Sequence, residues 1–182
     1  MAPATARGEC TRLRPHASPS TIAAVARLML GPLYHLIDRA DRLRAWSEAR
    51  RVVRPRGVVI AVGISRFASL LDGLKRHELA DPAFAEMVRQ DLRTGEHRNP
   101  EVTQRPGWFT TAYFHRPDEL SREAHDADLT DVRLFAVEGP AWMVEDIDEL
   151  DAQLASARAV ETEMSLMSAT SHVLVVGQRT AA

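Results

Sequence analysis

The chain has 182 residues, 45% hydrophobic and only 5% aromatic, enough for one ordinary domain with a core and too few for two comfortable ones. Its 23 basic and 25 acidic side chains leave a formal charge of -2, which gives no electrostatic reason to expect nucleic acid or an anionic membrane and suits a small neutral or mixed-charge ligand. A lone cysteine, Cys10, excludes an internal disulfide, no apolar run approaches the roughly 20 residues of a membrane span, and "MAPATARGECTRLRPHASPS" has no secretory apolar region, so a soluble cytoplasmic protein is expected.

Residues 1–20, rich in Ala, Arg, Pro and Ser without a sustained period, predict a flexible segment, with one domain over 21–182. In "TIAAVARLML" (21–30), Ile22, Val25, Ala26 and Met29 stand at helical spacing, although Leu28 to Leu30 could equally open a buried strand. Gly31 and Pro32 then break the chain into a turn. Between Asp38 and Val53 the spacing of Ala40, Leu43, Trp46, Ala49 and Val53 predicts an amphipathic helix, stopped by "RPRG" at Arg54 to Gly57. The continuous apolar run "VVIAV" (Val58 to Val62) predicts a central parallel strand covered on both faces.

Two shorter helices follow at Phe67 to His77 and Pro82 to Thr94, marked by Leu70, Leu71 and Leu74 and by Phe84, Met87, Val88 and Leu92. The connector from Gly95 to Pro117 mixes Pro and Gly with aromatics and histidines and is too long for a surface turn, so a lid insertion is expected around 66–117. The rest predicts a helix in "RPDELSREAHDADL" with Asp118 and Glu119 at its positive end, a strand in "VRLFAVEG", a helix from about Ile147 to Val160, and a final strand in "HVLVVGQR".

The segments "LGPLYHL", "RADRLRAWSEARRVVRPRGVVIAVGISRFASLLDGL", "DLRTGEHRNP", "WFTTAYFHRPDEL", "VEGPAW" and "SHVLVVGQR" resemble the C-terminal half of class I S-adenosylmethionine-dependent methyltransferases of the small-molecule type. The likeness runs from Leu28 to Arg179. It implies an α/β fold: a partial Rossmann-like methyltransferase, a three-layer α/β/α sheet lacking its first strands, with "LGPLYHL" after the fourth strand and "GVVIAVG" as the fifth. The implied cofactor is S-adenosyl-L-methionine and the implied activity methyl transfer to a small molecule. In such proteins a glycine-rich first turn and an acidic residue ending the second strand hold the adenosine. The nine glycines of this chain include no G-x-G pair, and before Leu28 there is no Asp and only Glu9. "HASPSTIAAVAR" resembles the family's segment after the second strand, with His16 where an acidic residue is common, which places Ile22 to Arg27 in a helix beside the sheet.

The resemblance assigns Gly31, Pro32, Leu33 and Tyr34 to the methionine end of the cofactor, where Tyr34 faces the sulfonium as a cation-π partner or simply packs the next helix. His35 is a base or orienting donor, or a capping group near Asp38. His97, Tyr113 and His115, with Arg98, form either a clamp that binds an acceptor and takes its proton or a network that shapes the connector. Arg66, after the fifth strand, contacts substrate or pairs with a neighbouring carboxylate. No histidine has metal-ligand spacing with Cys10. An absent first strand leaves the fourth as an apolar edge, which predicts a homodimer or partner chain there. The alternative to an enzyme is a catalytically inactive methyltransferase-like binding or dimerisation module.

Overall fold

A computed structural model of the chain describes residues 24–99, 108–144 and 150–181. The expectations on the flexible start, Cys10, His16 and Ile22 lie outside the described residues, as do 100–107 of the aromatic connector and 145–149. The elements in order are β1 (Ala24–Met29), α1 (Pro32–His35), α2 (Arg39–Val52), β2 (Val53–Ser65), α3 (Ala68–Lys75), α4 (Pro82–Thr94), β3 (Glu96–His97), β4 (Ala112–His115), α5 (Pro117–Asp126), β5 (Leu129–Ala136), α6 (Leu150–Val160) and β6 (His172–Arg179), with short 3₁₀ turns at Glu78–Ala80 and Gly139–Met143. None of the described helices is long and apolar enough to cross a membrane.

β2 organises the sheet. β6 runs antiparallel along one side of it, from Val58 opposite Gln178 to Ile64 opposite His172, and β5 lies antiparallel beyond β6. The other side is shared end to end: β1 pairs in parallel with Val53 to Ala61, and β4 pairs in parallel with Ile64 and Ser65. β3 pairs antiparallel with β4, so the stretch expected as a lid insertion contributes α3, α4 and two strands that join the sheet.

Three sequence expectations are corrected here. Ala24 to Arg27 is strand rather than a helix beside the sheet, which removes the proposed likeness of "HASPSTIAAVAR" to the segment after a second strand. The apolar run satisfies either spacing, and parallel pairing with β2, from Ala26 opposite Val58 to Met29 opposite Ala61, decides for strand. "RPRG" does not separate helix from strand. α2 passes directly into β2 at Val53, and Arg54 to Gly57 form a bulge inside it, since Ala24 pairs with Val53 but Ala26 with Val58, and Arg56 takes φ 63°. Finally, "VVIAV" is not equally covered on both faces: Val59 and Ala61 are fully buried, while Val58, Ile60 and Val62 are half-buried.

The deeply buried face packs against α2 and α5, through Trp46, Ala49, Leu120 and Ala124 against Val59, Ala61, Val173 and Val175. Arg179 from β6 caps the end of α2 by donating from Nη1 to the carbonyls of Arg50, Arg51 and Val53 at 3.3, 3.1 and 2.7 Å. On the opposite side, α3 and α4 make a smaller core from Phe84, Met87 and Val88 with Leu70 and Trp108. α4 begins at Asp81, whose carboxylate accepts from the N–H of Ala83 and Phe84, followed by Pro82, and ends at Gly95 with φ 81°. A side chain at Gly95 would meet Arg66 Nη2 at 2.5 Å and the Phe114 carbonyl at 2.7 Å, so this turn needs glycine for both conformation and space.

Candidate functional site

The carboxyl ends of β1, β2 and β4 and the start of β6 converge at one end of the sheet, because Ile64 pairs with Phe114 on one side and His172 on the other. Ligands of open α/β sheets bind at this end. Gly31 and Pro32 turn the chain out of β1, with Pro32 opening α1, Leu33 fully buried and Tyr34 half-buried. A loose group of rings fills the space beyond. Tyr34 lies 4.8 Å from His35 and 6.3 Å from Phe109, His35 stacks on Phe109, and His97 stacks on Phe114 at 4.7 Å.

Strand alternation divides the four residues His97, Arg98, Tyr113 and His115, which were expected to act together. Phe114 points to the cleft side of β4, so its neighbours Tyr113 and His115 point to the α2/α5 side. There the guanidinium of Arg42 lies 3.6 Å over the Tyr113 ring, donates to Glu123 Oε1 at 2.9 Å, and donates to the carbonyls of Leu36 and Ile37 at 2.9 and 2.6 Å. His115 is fully buried and makes no hydrogen bond among the described residues, its Nε2 lying 3.4 Å from Glu123 Oε2. Burial pushes the His115 imidazole below its usual range against the pull of Glu123. Burial acts to raise Glu123, but His115 and Arg42 outweigh it and hold the carboxyl below its usual range. Burial, with Glu119 nearby, raises the Tyr113 phenol.

Arg66 is buried and committed within the protein: Nε donates to the Phe114 carbonyl at 2.7 Å, and Nη2 donates to Glu119 at 2.6 Å and to the Tyr113 hydroxyl at 3.2 Å. Arg98 is exposed and pairs with Glu96. His97 faces the cleft side, but its Nδ1 is 2.8 Å from Asp91 and 3.4 Å from Ser69 Oγ, and its Nε2 is 3.3 Å from the Phe109 carbonyl. Both nitrogens are thus engaged in tying α4 to the connector. Of the expected acceptor-handling residues, His97 and His35 reach the cleft region, and Tyr113, His115 and the Arg66 head group sit behind the strand that forms its wall.

The cleft consists of two adjoining cavities of about 340 and 190 Å³ that share Ser69, Asp72 and Phe109. The first is completed by groups including Met87, His97 and Trp108; the second by Ile64, Phe114, Trp142 and His172. His172 belongs to a pair that spacing gave no reason to join. Its Nδ1 lies 2.6 Å from Glu138 Oε1, 34 positions away in the chain. The pair forms because Ala136 opposes Val173 in the antiparallel ladder, bringing the end of β5 beside the start of β6. The only sequence signal is that both residues stand at the ends of predicted strands.

No family model matches the chain, and no curated protein matches it. Solved structures do. A SAM-dependent methyltransferase from Methanosarcina mazei aligns at 12% identity and TM-score 0.50, covering 88% of this chain and 61% of that one. The fold is that of the Rossmann-like methyltransferases. The S-adenosylmethionine-dependent methyltransferase SibL aligns at 17% identity and TM-score 0.44 over 85% of this chain and 30% of that one. A Thermotoga maritima protein described as a possible histamine N-methyltransferase aligns at 13% and 0.43, over 87% and 57%. The chain therefore spans less than two thirds of the length of these structures.

The described residues differ in what they could offer the two ends of S-adenosylmethionine. Tyr34, His35 and Phe109 offer aromatic faces of the kind that suits a sulfonium. For the adenosine, neither β1 nor α1 carries a carboxylate. The described glycines offer no cradle: a Cβ at Gly57, Gly63 or Gly95 would strike this protein's own atoms at 3.0 Å or less, and Gly31 stands alone. The whole cofactor does not fit this chain's described residues by themselves.

Proposed function

We propose that this chain supplies the acceptor side of an S-adenosylmethionine-dependent methyl transfer to a small molecule, with the adenosine held by a chain that adds to the edge of β1 left unpaired among the described residues. The observation that carries this reading is the position of the aromatic cleft, at the carboxyl ends of β2 and β4 and beside the turn after β1. The chain's own residues bind and orient the acceptor and exclude water, which are the main demands of a direct displacement. Phe109, Phe114 and Trp142 supply the walls, and the Asp91–His97 pair holds the connector in place. The β1 edge supports the second part: among the described residues β1 pairs only with β2, Val25 and Leu28 on it are 61% and 56% exposed, and an apolar edge of this kind invites another strand.

The β1 edge also favours a second reading, a catalytically inactive module that associates through β1. Calorimetric titration with S-adenosylmethionine and S-adenosylhomocysteine, repeated over a range of protein concentrations with light scattering on the same samples, separates the two. Micromolar binding, about -8 kcal/mol, that strengthens as the oligomer forms is expected. A folded, oligomeric sample that gives no heat with either ligand would overturn the methyltransferase reading in favour of the inactive module.

A further inference from the structure

The acceptor-side reading leaves open what the cleft accepts and which group takes its proton. We propose that the cleft binds a neutral hydroxylated aromatic molecule and that His172, oriented by Glu138, removes the hydroxyl proton. This rests on the acceptor-side reading for its biological use, but not for its chemistry.

Glu138 is held from several directions. The Thr170 hydroxyl donates to its Oε2 at 2.7 Å, the His172 backbone N–H donates to the same oxygen at 3.0 Å, and its own N–H donates to Thr170 Oγ1 at 3.2 Å. Thr170 is fully buried, so the carboxylate is anchored to the core. With Nδ1–H donating to Oε1, the imidazole is fixed in the tautomer that carries its lone pair on Nε2. Nε2 has no hydrogen-bond partner among the described residues, and the side chain is 40% exposed in the cleft wall. Burial acts to raise the Glu138 carboxyl, but hydrogen bonds from His172 and Thr170 keep it below its usual range, so it stays ionised to stabilise an imidazolium.

The other histidines do not offer this. His97 has both nitrogens engaged, His115 is fully buried behind β4, and His35 has no orienting carboxylate among the described residues. The walls define the ligand. Phe109, Phe114, Ile64 and Trp142 present flat apolar surface, and the cavity volumes suit one or two rings. Asp72 in the cleft wall is paired with Arg76 at 2.7 Å and so is not free to bind a cation, which favours an uncharged molecule. In the proton step the ligand O–H bond breaks, Nε2–H forms, and the electron pair stays on the ligand oxygen as a phenolate, with the imidazolium paired to Glu138.

The probe is 4-nitrophenol, whose neutral and ionised forms differ in absorbance. Titrated across pH with the full chain, the bound dye should ionise at a pH about one unit below that of the free dye, roughly a tenfold gain in phenolate. Besides Glu138, the charged groups lining the same cavities as His172 and Glu138 among the described residues are Asp72 and Lys75 of α3, Lys75 being tied to the Trp142 carbonyl at 3.1 Å. His172→Gln should keep the dye and lose the shift, and Glu138→Gln should reduce it. Failure of the dye to bind, or the same shift in wild type and His172→Gln, would overturn the proposal. The assay contains no S-adenosylmethionine, so a positive result stands even if the cofactor titration is silent, and cofactor binding without dye ionisation rejects this proposal alone.

Discussion

Replacing Arg42 by Met tests the buried ionic layer behind β4. Arg42 and Glu123 are both almost completely buried, and the guanidinium neutralises the carboxylate, caps the Leu36 and Ile37 carbonyls and stacks on Tyr113. Methionine keeps the apolar stem and much of the volume but leaves Glu123 with only His115, 3.4 Å away, as a partner. Breaking a buried pair from one side costs roughly 3–5 kcal/mol, because the remaining charge is desolvated and uncompensated. For a domain of this size that is a fall in Tm of roughly 6–20 °C. The double variant Arg42→Met, Glu123→Met removes both charges and should regain at least half of the loss. Urea denaturation at pH 7, followed by far-UV circular dichroism, measures all three proteins. A single-variant loss below about 1 kcal/mol, or a double variant no more stable than Arg42→Met, would refute the claim that Glu123 depends on Arg42.

The same layer should make the fold acid-sensitive. Below about pH 6.5 an unfolded His115 takes a proton that the buried native ring refuses, and below about pH 4.5 an unfolded Glu123 takes one that the native carboxylate refuses; both bind more protons unfolded, so stability falls as pH falls. The free energy of unfolding between pH 7 and pH 4 should decline by up to about 1.4 kcal/mol per pH unit per group, and a flat profile would contradict the burial argument. Gly63→Ala probes the same contact sterically: the added Cβ would stand 3.0 Å from His115 Nδ1 and 3.2 Å from Leu120 Cδ2. A loss of roughly 1–3 kcal/mol is expected, and an unchanged or raised midpoint would show that the layer can move aside.

The sequence located most of the elements, because their signals are local. Asp81, Pro82 and Gly95 bracket α4, the pattern around Trp46 marks α2, and the expected final strand, "HVLVVGQR", is β6 to the residue. It misread Ala24 to Arg27, where apolar residues satisfy helix and strand spacing alike and the choice is made by pairing with β2. The bulge at Arg54 to Gly57 was hidden for a similar reason, since Pro and Gly stop an element or interrupt one depending on whether a neighbouring strand continues past them.

The candidate site was less legible. Clustering in the sequence put His97, Tyr113 and His115 together, but the alternation of a strand sends neighbours to opposite faces, and β4 became the wall between cleft and buried ionic layer. The segment "LGPLYHL" turns out of β1 at the end of the sheet where the cleft lies, while Glu138 and His172 became a pair only through the register of β5 on β6. Local chemistry, the spacing of apolar residues and the breaking power of Pro and Gly, is written residue by residue and can be read from one chain. Which side chains meet across 34 positions is set by strand order and register, and those are decided by the packing of the whole sheet.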